Sequence, residues 1–411
     1  MRLVLLTTLL GIALATPETY EGHKVFRCTP CLGQLELLQQ FEHVPGFDFW
    51  NEPHRAGDYL DVMVSPEQQP NFLAFLSKIK VNYTVTFENV QELIDAEARY
   101  QETVPKSPRA ISFTTYNRHS VINSYLESLA SSYPNLVTLE TIGQSYEGRD
   151  LVVIKISSGG SGTRPVILID AGIHAREWIA PAMALYIINQ LVENNAANSG
   201  LTDAVDWYIL PVLNPDGYEY SHTSSRMWRK TRSPTSSSSC RGVDGNRNFD
   251  FHWMETGASS YPCDETYAGS KGFSEPETQA IRDFALANKS KIKLYLTFHS
   301  YGNYLLYPWG YTSSLPSDWR TLQALAEDAN AAHVSAGGSS YSIGSSTNVL
   351  YAAAGGSDDY MKGVGGIALS YTVELTNTAY GFQLPASQIQ TTVTRFFAAI
   401  RVFGNYVKNN F

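Results

Sequence analysis

Apolar residues form two kinds of pattern along the C-terminal part of the chain, from residue 110 to residue 411. The runs VILIDAGIH, IKLYLTFHS and GIALSYTVEL are almost continuously apolar, which predicts strands buried on both faces. Between them, apolar residues recur every three or four positions, which predicts amphipathic helices. The alternation predicts an α/β domain in which helices cover both faces of a mixed, largely parallel sheet. The closing helix has an apolar face of five residues: Ile389, Val393, Phe396, Ile400 and Phe403.

The preceding segment, residues 16–109, has a different pattern. EGHKVFRCTP, YLDVMVSP and YTVTFEN are typical of strands, whereas CLGQLELLQQFEHV and PNFLAFLSKIK have the spacing of amphipathic helices. This order predicts a small α+β open sandwich. The stretch ARYQETVPKSPRAISFTTYN then combines prolines with basic residues, which is typical of a protease-accessible linker or of a plain interdomain connection. A trypsin-like enzyme would cut after Arg109, with Lys106 as the second choice.

Composition and the N-terminus narrow the functional classes. The chain of 411 residues is 43% hydrophobic and has a net charge of −9, which predicts packed domains and disfavours nucleic-acid binding. Residues 1–15, MRLVLLTTLLGIALA, resemble a secretory signal peptide cut after Ala15, because the apolar run is too short to span a membrane. We therefore expect a secreted protein with no membrane partner.

The chain has four cysteines, and disulfides are the default in an oxidising compartment. Their positions favour two local bridges, Cys28–Cys31 and Cys240–Cys263, among three possible pairings. A redox-active pair or half of a zinc site remains an alternative for Cys28 and Cys31. Asn82 and Asn288 begin N-x-S/T sequons, which are acceptors for glycans in secreted chains.

Ionisable residues follow the predicted strands where these end. His174 and Glu177 come after VILIDAGI, His299 comes after LYLTF, and Glu374 comes after LSYTV. Because ligands of such sheets bind beyond the carboxyl ends of the strands, the four side chains could meet in one pocket. Two histidines and a carboxylate are a set of three protein ligands for catalytic zinc, and the second carboxylate could serve as a general base. The alternative for His174 and Glu177 is a satisfied surface pair.

Eight ordered motifs carry a resemblance to a known family. HAREW, NPDGY, RMWRKTRS, VDGNRNFD, TFHSYGNYLLYPWGY, AAGGSDDY, SYTVEL and GFQLPASQI resemble motifs of the pancreatic-type zinc metallocarboxypeptidases, the A/B subfamily. Residues 16–109 resemble that family's activation propeptide domain, and residues 110–411 resemble its catalytic domain. The resemblance implies a monomeric, secreted procarboxypeptidase with one zinc ion per chain. It would be activated by a trypsin-like protease and would hydrolyse the C-terminal bond of peptides.

The resemblance also implies roles for individual residues. His174, Glu177 and His299 match the zinc ligands, Glu374 matches the general base that acts on the zinc-bound water, and Asp244 would accept from a ligand histidine. Arg229 matches the arginine that polarises the scissile carbonyl. The remaining matches belong to substrate recognition: Asn246 and Arg247 for the terminal carboxylate, Tyr351 as a tyrosine that closes over the site, and Arg176, Ser300, Tyr301 and Phe382 in neighbouring subsites.

The residue at the floor of the specificity pocket separates the two subfamily types. An ungapped count from Tyr351 places Asp358 there, which favours the B type and its preference for C-terminal Lys or Arg; Ser346 and Thr372 would line the same pocket. The spacing to Glu374 is one residue longer than usual, so Asp359 could take the place of Asp358. An A-type specificity for aromatic or aliphatic ends is the main alternative. An inactive secreted binding homologue or an endopeptidase fits less well, because the catalytic residues and the carboxylate clamp are all present.

Overall fold

The computed structural model describes residues 17–51, 58–103, 111–159, 164–375 and 379–411. The predicted signal peptide, Lys106 and the predicted cleavage site at Arg109 lie outside these ranges. Among the described residues, no helix is both long enough and apolar enough to cross a membrane.

The N-terminal segment forms a four-stranded antiparallel sheet in the order β2-β3-β1-β4. Two helices, α1 and α2, pack their apolar residues against one face of this sheet, whereas α3 follows the last strand. The predicted open sandwich is therefore confirmed. Its elements are β1 (Lys24–Thr29), α1 (Leu32–Gln39), β2 (Phe47–Phe49), β3 (Leu60–Val64), α2 (Gln69–Ile79), β4 (Asn82–Phe87) and α3 (Val90–Thr103).

The C-terminal segment is built on an eight-stranded mixed sheet in the order β11-β10-β12-β9-β7-β8-β6-β5. The four central strands β12, β9, β7 and β8 are parallel, whereas β6 and β5 add an antiparallel edge. Its strands are β5 (Val137–Gln144), β6 (Asp150–Ile156), β7 (Val166–Ala171), β8 (Asp206–Leu210), β9 (Ile292–Ser300), β10 (Tyr304–Tyr307), β11 (Ser342–Ser345) and β12 (Leu369–Leu375).

Helices cover both faces of the large sheet, as predicted. One face packs against α4, α5, α9 and α12, and the other against α8 and α11. All five apolar residues predicted on the closing helix are buried. The helices are α4 (His119–Ser132), α5 (Ile179–Val192), α6 (Asn195–Thr202), α7 (Pro215–Thr223), α8 (Pro276–Asn288), α9 (Trp319–Ser335), α10 (Ser346–Val349), α11 (Ser357–Gly363) and α12 (Ile389–Asn410).

The two sheets meet through the face of the small sheet that α1 and α2 leave uncovered. Val25 and Met63 alternate with core residues of the sandwich, so their side chains point the other way. They pack in one apolar cluster with Met227, Tyr301 and Phe382 of the larger segment. Three residues that the resemblance places in the catalytic domain or its subsites are thus in contact with the N-terminal sheet.

Two local predictions are corrected by the structure. The predicted linker begins inside α3, because Arg99 lies within that helix. Cys28 and Cys31 are both free: Cys28 is buried in β1 among apolar side chains, whereas Cys31 is exposed at the start of α1. The side chains therefore face different environments. The Cys240–Cys263 disulfide is present, as the sequence predicted.

Glu277, near the start of α8, is a buried carboxyl group with an incomplete set of partners. It is 1% exposed, Oε1 accepts from the Tyr146 N–H at 3.0 Å, and Oε2 has no hydrogen-bond partner among the described residues. Burial raises its pKa to about 8, and the nearby carboxylates Glu275 and Asp216 add to the rise. Folding therefore favours the protonated form.

We expect Glu277→Gln to make the stability of the folded chain less sensitive to pH. The carboxyl group contributes its full stability below the unfolded pKa of about 4.3 and loses it as the pH rises toward 8. The variant should gain about 1–3 kcal/mol over the wild type at pH 8 and almost nothing at pH 4. Urea unfolding at both pH values measures this. Glu36→Gln, at an exposed position of α1, is the control, and an equal effect of the two substitutions would contradict the expectation.

Candidate active site

The parallel strands bring the predicted ionisable residues to one edge of the large sheet. In the register of β12 and β9, Glu374 lies opposite His299. Strand β7 ends at Ala171, opposite Phe298, and the loop that follows it carries His174 and Glu177. Because these strands run in the same direction, their carboxyl ends place all four side chains together.

His174, Glu177 and His299 form a buried cluster that could hold a metal ion. Nδ1 of His174 lies 2.8 Å from Oε1 of Glu177. Nδ1 of His299 lies 3.2 Å from Nδ1 of His174 and 3.2 Å from Oε2 of Glu177. Burial alone would raise the pKa of Glu177, but the two histidines lower it overall. Three ligand atoms therefore converge on one point.

The donor set of this cluster fits zinc. Nε2 of each histidine has its own partner: Asp244 for His174, at 3.0 Å, and Thr297 for His299, at 3.2 Å. Protons on both Nε2 atoms would leave two Nδ1 lone pairs facing each other beside a carboxylate, an arrangement that requires a cation. Two imidazole nitrogens on one tetrahedral zinc lie about 3.3 Å apart. Imidazole and carboxylate ligands are those of catalytic zinc sites.

Asp244 organises the side of the site that includes Arg229. Its Oδ1 faces His174 and accepts from the Asn246 N–H at 2.9 Å. Its Oδ2 accepts from Nε and Nη2 of Arg229 at 3.2 and 2.9 Å. Arg229 also lies 3.8 Å from Glu177. A fully buried carboxylate thus orients one candidate ligand histidine and one arginine at the same time.

Glu374, which lies opposite His299 in the sheet, also borders a cavity. The cavity is also lined by Asn246, Arg247, Tyr351 and Asp358. Nη2 of Arg247 donates to the Tyr351 hydroxyl at 3.4 Å. Burial raises the pKa of Glu374 to about 8, whereas nearby positive groups oppose the rise. A cation held by the neighbouring cluster would favour the ionised form.

The two neighbouring aspartates have different environments. Asp358 lines the cavity, and its Oδ2 accepts from the Ser346 hydroxyl at 3.3 Å. Asp359 instead accepts from the backbone N–H groups of Gly310, at 2.9 Å, and Tyr311, at 3.1 Å. Its lone pairs are therefore used by the loop after β10. Only Asp358 of the two lines the cavity.

Three of the four residues predicted for neighbouring subsites contact the N-terminal domain. Arg176 donates to Asp48 at 2.7 Å, the Tyr301 hydroxyl donates to Asp61 at 2.8 Å, and the Phe382 ring lies 5.2 Å from the Trp50 ring. Ser300 is buried, and its N–H donates to Glu177 at 3.2 Å. The structure therefore places Arg176, Tyr301 and Phe382 against the N-terminal domain, and Ser300 against the metal cluster.

Several contributing residues are absent from the sequence-based predictions. Asp48, Trp50 and Asp61 were not distinguished from other residues of the sandwich, because only tertiary contact shows what they cover. Asp170 and Thr297 are buried polar residues next to the metal cluster. The alternation of side chains in LYLTFHS was a signal for Thr297, since it places this residue on the same strand face as His299.

Comparison with known proteins agrees with this geometry. A family model described as zinc carboxypeptidase matches residues 122–399, and one described as carboxypeptidase activation peptide matches residues 32–97. Carboxypeptidase B of Astacus astacus is 49% identical over 73% of this chain and 99% of that protein. Carboxypeptidase A1 of Bos taurus is 38% identical over 99% of both chains.

Solved structures show the same architecture. The crystal structure of carboxypeptidase A from Helicoverpa armigera superposes with a TM-score of 0.89, at 32% identity, over 96% of this chain and 99% of that chain. Together with the activation-peptide match, these similarities cover both sheets. The chain therefore belongs to the zinc carboxypeptidase family, and it is a peptidase of the A/B type with one zinc per chain and an activation peptide that is removed by proteolysis.

Proposed function

We propose that the enzyme is a B-type carboxypeptidase, which removes C-terminal Lys and Arg from peptides and proteins. The observation that carries the proposal is the carboxylate of Asp358 in the cavity that Arg247 and Tyr351 also line. Burial raises the pKa of Asp358, so the ionised form is costly while it has no cationic partner. An ammonium or guanidinium group would offset that cost, whereas an apolar side chain would leave it in place.

Residues around Asp358 support this specificity. Ser346 and Thr372 line the same cavity, and both offer small polar side chains next to the carboxylate. The A-type alternative needs an apolar pocket floor, which a buried aspartate does not provide. Because Asp359 is bonded to backbone N–H groups, Asp358 is the carboxylate available to a substrate.

In the proposed mechanism, His174, Glu177 and His299 hold the zinc ion. When bound, zinc supplies a Lewis acid that polarises the scissile carbonyl and lowers the pKa of water. Glu374 accepts a proton from the attacking water and passes it to the leaving amine. Arg229, held by Asp244, places N–H groups where negative charge develops on the carbonyl oxygen.

Substrate orientation is assigned to the opposite side of the cavity. Arg247 can bind a free terminal carboxylate through two N–H groups, and Asn246 lies beside it. Tyr351 contacts Arg247 and would close over the bound end of the peptide. These groups recognise a free C-terminus, which is the requirement of an exopeptidase.

We also propose that the chain is a secreted, monomeric proenzyme. Residues 1–15 would direct it to the secretory pathway, and a trypsin-like protease would cut after Arg109. Before cleavage, Asp48, Trp50 and Asp61 contact Arg176, Phe382 and Tyr301, respectively. Substrate residues upstream of the cleaved bond would otherwise contact these three side chains. Latency would therefore follow from direct competition with the substrate.

The pocket assignment predicts a reversal of specificity in Asp358→Ile. Loss of a buried charge pair costs about 3–5 kcal/mol, so kcat/KM on a peptide ending in Arg should fall by about 10²- to 10⁴-fold. The same substitution should increase kcat/KM on the matched peptide ending in Phe. Both values are measured on the activated enzyme, with Asp359→Asn as the control. Faster cleavage of the Phe peptide by the wild type, or a reversal in Asp359→Asn alone, would refute the assignment.

Glu374→Gln should remove most of the activity without removing zinc. The amide keeps the size of the side chain but cannot accept the proton, so kcat should fall by about 10²- to 10⁴-fold. Zinc content measured by atomic emission should stay at one ion per chain, because Glu374 is not in the proposed ligand set. Glu327→Gln, at an exposed position of α9, provides the control. A variant that keeps wild-type kcat would exclude Glu374 as the general base.

Trp50→Ala should increase the activity of the intact proenzyme. The substitution removes the ring contacts with Phe382 and Tyr301, so the small sheet should leave the site more often. We expect about a tenfold rise in basal kcat/KM, equivalent to about 1.4 kcal/mol. The full-length chain is assayed with its mass confirmed, beside Tyr83→Ala, at an exposed position of the same domain. Unchanged basal activity would argue against competition by this surface.

A further inference from the structure

Strand β9 carries a row of polar residues on one face. Tyr295, Thr297 and His299 alternate along the strand, and each is less than 1% exposed. The intervening residues Leu296 and Phe298 belong to the large apolar core on the opposite face. One face of a central, fully covered strand is therefore polar, although burial of unsatisfied polar groups is costly. Such a row requires partners.

The partner is Asp170, which lies opposite Thr297 in the register of β7 and β9. Its Oδ1 accepts from the Thr297 hydroxyl at 2.7 Å, and its Oδ2 accepts from the Tyr295 hydroxyl. Asp170 is 0% exposed, and no Lys or Arg among the described residues forms an ion pair with it. Burial of a carboxylate in this position costs free energy unless hydrogen bonds satisfy both of its oxygens.

The direction of each hydrogen bond follows from the position of the rings. Nδ1 of His299 faces His174 and Glu177, so its proton belongs on Nε2, 3.2 Å from the Thr297 hydroxyl oxygen. The Thr297 hydroxyl has one proton, which it donates to Asp170. The chain therefore runs without conflict from the imidazole N–H through the hydroxyl to the carboxylate.

We propose that Asp170, acting through Thr297, is a positioning residue that fixes the tautomer and ring orientation of His299. Tyr295 holds the other oxygen of the carboxylate and keeps it directed at Thr297. The proposal rests on the assignment of His299 as a zinc ligand. In this arrangement a carboxylate supports His299 indirectly, through Thr297, whereas Asp244 contacts His174 directly. Partners of this kind orient metal ligands and strengthen them as donors.

The test is the zinc affinity of the full-length chain, measured by competition with the chelator dipicolinate. Thr297→Val removes the hydroxyl at nearly constant size and should increase the zinc dissociation constant about 10- to 100-fold. Thr297→Ser restores a hydroxyl and should stay within about threefold of the wild type. Thr202→Val is the matched control: Thr202 is a buried threonine that bonds to Asn195 and Ser199, outside the site. It should leave the zinc affinity unchanged.

A double-mutant cycle tests whether Asp170 acts through Thr297. Asp170→Asn alone should weaken zinc binding, but in the Thr297→Val background it should add little, because the connection is already broken. A zinc affinity for Thr297→Val equal to that of Thr202→Val would overturn the proposal. The proposal would also be overturned if the double mutant weakened zinc binding by the product of the two single-mutant factors, because the two residues would then act independently.

Failure of the ligand assignment would give a different result. His299→Ala should abolish tight zinc binding if His299 is a ligand. If that variant kept the wild-type zinc affinity, the ligand set proposed above would be wrong. If His299→Ala lost zinc but Thr297→Val did not, the ligand set would stand and only the positioning role of Asp170 would be refuted.

Discussion

The parallel register of β12, β9 and β7 is the constraint on which the site depends. It places Glu374 opposite His299 and Asp170 opposite Thr297, and it brings the loop after β7 to the same edge. A shift of one residue in β9 would turn His299 toward the apolar core, because side chains alternate between the two faces. The apolar residues on that opposite face therefore help to fix the register that directs His299 toward the cluster.

Buried charge in this edge of the sheet is organised in pairs and chains. Asp244 connects His174 with Arg229, and Asp170 reaches His299, the other candidate ligand histidine, through Thr297. Each carboxylate has its oxygens occupied, which makes burial tolerable and fixes the geometry. Asp358 differs in position: it accepts from hydroxyl groups, including that of Ser346 at 3.3 Å, and it lies in the wall of the cavity. The carboxylate that lines the cavity is thus the one proposed to bind the substrate.

The N-terminal domain contacts residues that we propose to bind the substrate. Asp48 accepts a hydrogen bond from the guanidinium of Arg176, and the ring of Trp50 packs against the ring of Phe382. The open face of the sandwich needs an apolar partner to be covered, and the edge of the catalytic domain provides one. Stability of the small domain and coverage of the site therefore come from one interface.

Local sequence patterns were enough to predict the central strands, the closing helix and the position of His174 and Glu177 after a strand. Apolar runs and helical periodicity depend only on neighbouring residues. The ordered motifs identified the family and its activation peptide. The antiparallel edge formed by β5 and β6, the extent of α3 and the free state of Cys28 and Cys31 depended on contacts between distant segments. Only tertiary structure decided which of Asp358 and Asp359 lines the cavity. The two aspartates are adjacent and chemically identical in the sequence. In the structure they differ because Asp359 accepts from the backbone N–H groups of Gly310 and Tyr311.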